Sequence, residues 1–167
     1  MRKTIVSTAV LVMLAAAGSL AYAVTSETHA RLRPDEAPPM PTTAYAPQKV
    51  VYHVNQGNGW LSHDHLYRLS VMQNHVNALE PGKLDLRVVI QGTGLSILSD
   101  AKKDPAIAAR IDRLRSHGVR FLICRNTMIG RDIRMSDLYG AKPEDIVIAG
   151  VAEVASLSQQ GFVMLKP

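Results

Sequence analysis

Cys124 is the only cysteine in the 167-residue chain, and Arg120, Arg125, Arg131 and Arg134 stand close to it. Nearby cations stabilise a thiolate and hold anionic sulfur species, so this setting suits nucleophilic thiol chemistry. With no second cysteine, an intramolecular disulfide is impossible. The thiol is then a buried filler, a free reactive group or an intermolecular link, free cysteine being among the most buried residue types. Asn126 and Thr127 follow directly. Their side chains offer hydrogen bonds either to a ligand or to their own loop backbone.

The other chemistry-bearing residues make weaker constellations. His63-Asp64-His65 is followed by His75. Residues two apart on a helix point apart, whereas helical pairs need spacings of three or four. A Cys/His metal site has the right donor types, but the reading here is polar residues on an exposed first turn, with no metal and no cofactor expected. Alternatively His63 or His65 serves as a base toward Cys124; no third residue stands at a spacing that makes a hydrolase triad. Gly92-Thr93-Gly94 lacks the third glycine and the later acidic residue of a dinucleotide fingerprint. It reads as a tight turn with a backbone anion nest. Trp60, the sole tryptophan, either caps a pocket or packs into a subunit interface.

These residues need elements to position them. Val50-Val51-Tyr52-His53-Val54 is a β-branched run and a first strand, followed by a Gly- and Asn-rich loop. Ser62 caps a helix whose Leu66, Leu69, Val76 and Leu79 share one face, and Pro81-Gly82 ends it. Leu84 to Gln91 is a second strand. Leu95 to His117 is helical and broken at Asp104-Pro105, with Gly118 closing it. Residues 119–124 form a third strand, Arg125 to Arg134 a loop, and Ser136 caps a short helix through Tyr139. A fourth strand (146–148), a helix (151–160) ended by Gly161 and a fifth strand (162–165) complete the chain.

Alternation of strand and helix calls for a mainly parallel sheet between helical layers. The expected fold is a three-layer α/β/α domain with five strands, the second, third and fourth buried on both sides. Ligands of such sheets bind beyond the carboxyl ends of the strands. Three loops start there: Asn55 to Leu61, Gln91 to Leu95, and Cys124 to Arg134. The candidate binding residues are therefore Asn55, Gly57, Trp60, Thr93, Gly94, Arg125, Asn126, Thr127 and Arg131, with Cys124 as the reacting group.

The N-terminus bounds the setting. Arg2 and Lys3, the uncharged stretch Ile5 to Ala17, and Ala21-Tyr22-Ala23 have the order of a Sec-type secretion signal over residues 1–23. Export to the periplasm is expected. The alternative is an uncleaved membrane anchor, since Ile5 to Ala23 is nearly long enough to span a bilayer. Residues 24–48 hold Pro34, Pro38, Pro39, Pro41 and Pro47 and read as a flexible linker, leaving 49–167 as one domain with a real core. Losing Arg2 and Lys3 takes the formal net charge from +5 to +3. That mild charge, without Lys/Arg runs or basic-aromatic interleaving, argues against nucleic acid as a partner.

The segment Gly118-Val119-Arg120-Phe121-Leu122-Ile123-Cys124-Arg125-Asn126-Thr127 resembles the DsrE-like family (the DsrE/DsrF/TusD superfamily). So do Ala149-Gly150-Val151-Ala152-Glu153-Val154 and Gln160-Gly161-Phe162-Val163-Met164-Leu165-Lys166-Pro167. The resemblance covers Lys49 to Pro167. It implies a five-stranded parallel sheet between helices and homo-oligomers, commonly trimers or hexamers. The family's sulfur carriers hold sulfur as a persulfide on one cysteine after the third strand, which by position is Cys124. The resemblance thus implies a sulfur carrier, sulfurtransferase-like rather than a multiple-turnover enzyme, with a donor or acceptor protein as partner. Those carriers continue from the cysteine into a small-residue, helix-like stretch, where this chain has Arg125-Asn126-Thr127-Met128. The alternative function is a non-catalytic oligomeric ligand-binding or accessory protein with a structural cysteine.

Overall fold

The computed structural model describes residues 37–39, 41, 44–57 and 64–167. The expected signal segment lies outside the described residues, as does the expected linker apart from 37–39, 41 and 44–48. The remaining chain forms β1 (Gln48–Val54), α1 (Asp64–Ala78), β2 (Leu84–Ile90), α2 (Ser96–Asp100), α3 (Pro105–Ser116), β3 (Arg120–Cys124), α4 (Arg125–Gly130), β4 (Ile146–Val147), α5 (Gly150–Gln159) and β5 (Val163–Leu165). Short 3₁₀ turns precede α2 and β4.

All strand pairs are parallel, and the order across the sheet is β4-β3-β2-β1-β5. This order sets the layers. The steps from β1 to β4 all advance in one direction, so right-handed crossovers put α1, α2 and α3 on one face. The step from β4 to β5 returns past β1, which puts α5 on the other. Two cores follow. The larger packs Val50, Tyr52, Val54, Leu86, Val88, Ile90, Phe121 and Ile123 under Leu69, Met72, Ile107, Ile111 and Leu114. The smaller joins Val51, Val89 and Leu122 to Val154, Leu157 and Phe162.

The break between α2 and α3 has the expected chemistry. Pro105 occupies the first turn of α3, and the Asp104 carboxylate accepts the Ala106 N–H at 2.8 Å. Gly94 is required by a close approach. A Cβ there would lie 2.4 Å from the Val54 carbonyl oxygen, so only glycine lets the turn after β2 pack on the end of β1.

Three expectations change. The stretch after Cys124 is a loop only from Arg131 onward; Arg125–Gly130 is a helix that starts directly at the cysteine. β4 is a two-residue edge strand, half-buried rather than covered on both sides, and β1 takes the doubly covered position instead. The 3₁₀ turn at Met135–Asp137 opens on Arg134, whose N–H reaches the Asp137 carboxylate at 2.9 Å, and not on Ser136.

Candidate functional site

Side chains alternate along a strand. Phe121 and Ile123 point into the larger core and Leu122 into the smaller, so Cys124 faces the α5 layer. On β1 and β2 the same alternation puts His53 and Gln91 on that face, in line with Val51 and Val89. Cys124, Gln91 and His53 thus share one face at the carboxyl end of three adjacent strands.

Cys124 is the last residue of β3 and the N-cap of α4. The Thr127 hydroxyl and the main-chain N–H groups of Gly150, Thr127 and Asn126 are directed toward its Sγ and favour the thiolate, although the side chain makes no regular capping bond. The donors come from two helix starts, α4 and α5, the first-turn N–H groups that a helix leaves without an internal partner. Burial pushes the thiol pKa up, since the residue is only 4 % exposed. The four donors outweigh that, and the net direction is down from the ordinary thiol value. No arginine contributes to the lowering. The sequence expectation that Arg120, Arg125, Arg131 and Arg134 activate the thiol is corrected accordingly. Arg120 begins the strand that Cys124 ends, Arg125 and Arg134 line a groove along α4, and Arg131 lines a separate cavity.

The neighbours of the thiol are held in turn. Thr127 Oγ1 accepts the Gly92 N–H at 3.0 Å. Gly150 starts α5 against the Gln91 side chain; a Cβ on it would lie 2.6 Å from Gln91 Oε1. The Gln91 amide N–H donates to His53 Nε2 at 2.8 Å. Burial and the Lys166 ammonium hold the His53 imidazole below its usual pKa, in keeping with a neutral ring that accepts this bond.

Of the described candidate residues, Asn126 and Thr127 bring donor groups to Cys124, whereas Asn55, Gly57, Thr93, Gly94 and Arg131 lie elsewhere. Asn55, Gly57 and Thr93 tie two loops together: Thr93 Oγ1 accepts the Gly57 N–H at 2.9 Å and lies 3.4 Å from the Asn55 carbonyl oxygen. Gly57, Thr93 and Arg131 line a cavity of about 320 Å³ with Ser96, Ser99 and Asp100. Gly94 serves the packing described above, and Trp60 lies outside the described residues. A cavity of about 420 Å³ sits at the opposite end of the strands, among Val76, Leu79, Pro81, Leu84 and His117, away from the thiol.

The histidines also differ from expectation. His65 is fully buried, not exposed, and belongs to the α1 side of the sheet. Its Nε2 lies 2.8 Å from Ser96 Oγ and 3.4 Å from Asp100, while Nδ1 faces Arg68 at 3.4 Å. Serine and carboxylate thus both stand at Nε2, whereas a hydrolytic triad sets them on opposite ring nitrogens. It does not face Cys124. His75 stacks edge-on with Tyr52 and lies 2.7 Å from Gln48 Oε1, at the start of β1. His63 lies outside the described residues.

Gly150, Gln91, Gly92 and His53 are the site residues that sequence reasoning missed. Gly150 had a signal, standing in the Ala149-Gly150-Val151 run that carries the family resemblance.

The family model described as DsrE/DsrF-like matches residues 49–167, from the start of β1 to the last residue. The chain belongs to the DsrE/DsrF-like family. Among solved structures, this DsrE/DsrF-like chain is similar to MTH1491, a protein of unknown function from Methanobacterium thermoautotrophicum. That match has a TM-score of 0.58 at 24 % identity and covers 72 % of this chain and 99 % of that one. It is also similar to the ychN protein from E. coli, with a TM-score of 0.51 at 17 % identity over 72 % and 99 % of the two chains. At these identities the likeness shows the shared fold. No curated protein matches the chain at a significant level.

Proposed function

We propose that this DsrE/DsrF-like protein carries reduced sulfur as a persulfide on Cys124. One observation supports this above the rest: a nearly buried sulfur stands where two helices start, beside the Thr127 hydroxyl and three main-chain N–H groups that draw it toward the thiolate. A structural cysteine needs no such donors. The thiolate attacks the outer sulfur of a donor persulfide, R–S–SH. A new S–S bond forms to Cys124, the donor S–S bond breaks, and the electron pair leaves with R–S⁻. A partner thiolate reverses the step by attacking the outer sulfur on Cys124. No external oxidant or reductant is consumed. Such a protein is a carrier rather than a multiple-turnover enzyme.

The partner is another protein or a further copy of the chain. Ile129, Ile148 and Val151 are 62 %, 80 % and 62 % exposed; they belong to α4, the β4–α5 turn and α5, the segments that border Cys124. The edge strand β5 exposes Val163, Met164 and Leu165 in succession. Apolar patches and uncovered edges of this kind favour association, in keeping with a homo-oligomer, a trimer or hexamer, that receives a donor or acceptor protein. In this reading the Sec-type signal expected over residues 1–23 directs the protein to the periplasm.

A second reading keeps one observation on its side: with 4 % exposure, Cys124 is as buried as a core residue. The protein is then a non-catalytic ligand-binding or accessory subunit. Intact mass after exposure to polysulfide separates the two. The carrier reading expects one added sulfur on the wild type and none on Cys124→Ser. A wild type that gains no sulfur, and whose native thiol resists a small alkylating agent, overturns it.

A further inference from the structure

His65 is a buried titratable group that the sulfur chemistry leaves unused. It stands at the start of α1 and is fully buried. Burying a polar ring costs free energy unless its nitrogens are bonded, and here both have partners. Nε2 lies 2.8 Å from Ser96 Oγ and 3.4 Å from Asp100, and Nδ1 lies 3.4 Å from Arg68 Nη1. A guanidinium only donates, so Nδ1 accepts from Arg68, and Nε2 carries the ring hydrogen toward Ser96. Such a ring is neutral. Burial is the chief cause that holds its pKa down; Asp100 and Asp64 act against it and Arg68 with it.

Both partners lead to one turn. Ser96 is the residue at which the 3₁₀ turn Gly92–Leu95 passes into α2. Arg68 donates through the same Nη1 to the Gln56 and Gly57 carbonyls, each at 3.1 Å, and so holds the loop after β1. That loop packs on the turn. The Gly57 N–H reaches Thr93 Oγ1 at 2.9 Å, and a Cβ on Gly57 would lie 2.8 Å from the Thr93 carbonyl oxygen and 2.9 Å from Ser96 Oγ. His65 therefore grips the turn twice, directly through Ser96 and by way of Arg68 and the loop. The turn opens on Gly92, whose N–H meets Thr127 Oγ1 at 3.0 Å, and the Thr127 hydroxyl is among the groups that favour the Cys124 thiolate. Coupling between separated sites runs through contiguous bonded groups of this kind.

We propose that His65 is a positioning residue for the thiol: from the opposite face of the sheet it holds the turn at Gly92–Leu95 and so keeps Thr127 in place beside Cys124. It touches neither the sulfur nor a donor. Its purpose, a thiol kept ready for sulfur exchange, rests on the carrier reading, and the proposal names what sets the reactivity of that site. Arg68 acts here as a link and not as a charge near the sulfur, since it is absent from the groups that shift the thiol.

The test follows the titration of Cys124 through the carbon NMR signal of its Cβ, which is unique in a chain with one cysteine and needs no reagent to reach the sulfur. His65→Leu removes both grips and should move the midpoint to higher pH. Ser96→Ala and Arg68→Gln each remove one grip, leave the ring in place and should move it the same way by less; Ser96→Ala does so without a change of charge. His65→Gln sets an amide near the place of Nε2, keeps a partner for Ser96 and should recover part of the His65→Leu shift. Added to Thr127→Val, His65→Leu should bring no further shift, because both act through one hydroxyl. Ile111→Val loosens the larger core elsewhere and should leave the midpoint unmoved. Exchange of the Gly92 amide hydrogen should quicken about fivefold in Ser96→Ala, the equivalent of one net hydrogen bond.

A midpoint that neither Ser96→Ala nor Arg68→Gln moves overturns the proposal, whether or not His65→Leu folds. So does a shift that Ile111→Val reproduces, which makes His65 a packing residue only. If the shifts appear as expected but polysulfide adds no sulfur to the wild type, the positioning role stands and the carrier reading falls.

Discussion

Thr127 Oγ1 accepts the Gly92 N–H at 3.0 Å, and the same hydroxyl faces Cys124 and helps to hold its thiol below the ordinary pKa. The threonine links the turn after β2 to the thiol at the end of β3. Thr127→Val keeps the shape and removes the bond to Gly92 together with the hydroxyl beside the thiol. The thiol should then titrate at higher pH, seen as an upward move in the pH profile of alkylation. The unpaired Gly92 N–H should cost about 1 kcal/mol of stability in chemical denaturation. Thr127→Ser should restore both. An alkylation profile that Thr127→Val leaves unchanged removes the hydroxyl from the account.

Gly150→Ala tests the other helix start. The new Cβ falls 2.6 Å from Gln91 Oε1 and 3.0 Å from Gln91 Cβ. Either Gln91 leaves His53 or α5 moves off the sheet, and the second takes the Gly150 N–H from the sulfur. Overpacking of this kind costs about 1–3 kcal/mol, read as a lower Tm. Thiol reactivity near neutral pH should fall with it. A double variant with Gln91→Ala should recover part of both, because the clash is with that side chain.

Phe162→Ala acts from a distance. The ring anchors the smaller core and lies 5.7 Å from Lys49 Nζ and 5.9 Å from the Arg87 guanidinium. Its loss should cost about 3–5 kcal/mol. That core has few buried members to hold α5, so the same variant should slow Cys124 alkylation at neutral pH. A destabilised variant with wild-type alkylation shows that α5 is held by other contacts.

Stability should depend on pH in two windows. The folded state depresses the Cys124 pKa. That contribution is present above the unfolded thiol value of about 8.5 and is lost as pH falls through the folded value. Wild type should therefore gain on Cys124→Ala between neutral pH and about pH 9. His53, His65 and His75 are also lowered, chiefly by burial. The unfolded chain takes up these protons first, so stability should decline as pH drops below about 6.5. Denaturation at intervals from pH 5 to 9 reads both. A Cys124→Ala difference that stays flat above neutrality contradicts the first window.

The layers were legible because local chemistry agrees with them. Asp104-Pro105 marks the helix break, Gly118 the end of α3, and β-branched runs the strands. Helix α4 was hidden for a physical reason. It has six residues, too few for a periodic stripe, and its N-cap is Cys124, whose side chain makes no capping bond. The burial of His65 left a trace that was passed over: it stands four residues before Leu69 and seven before Met72, on the stripe that packs inward. His53 and Gln91 left none. Their proximity to Cys124 depends on strand order and register, and a chain read as alternating strands and helices fixes neither.

The donors to Cys124 come from two successive crossovers, and the second belongs to the next-to-last element of the chain. While the polypeptide is being made, the cysteine emerges well before Gly150 does. Until α5 docks, the sulfur lacks one of its main-chain donors and the cover of that layer, and it behaves more as an ordinary thiol. Nucleophilic character is thus conferred by completion of the fold. A chain that stops before α5 thus lacks the Gly150 N–H beside the thiol and carries a more ordinary cysteine than the finished one.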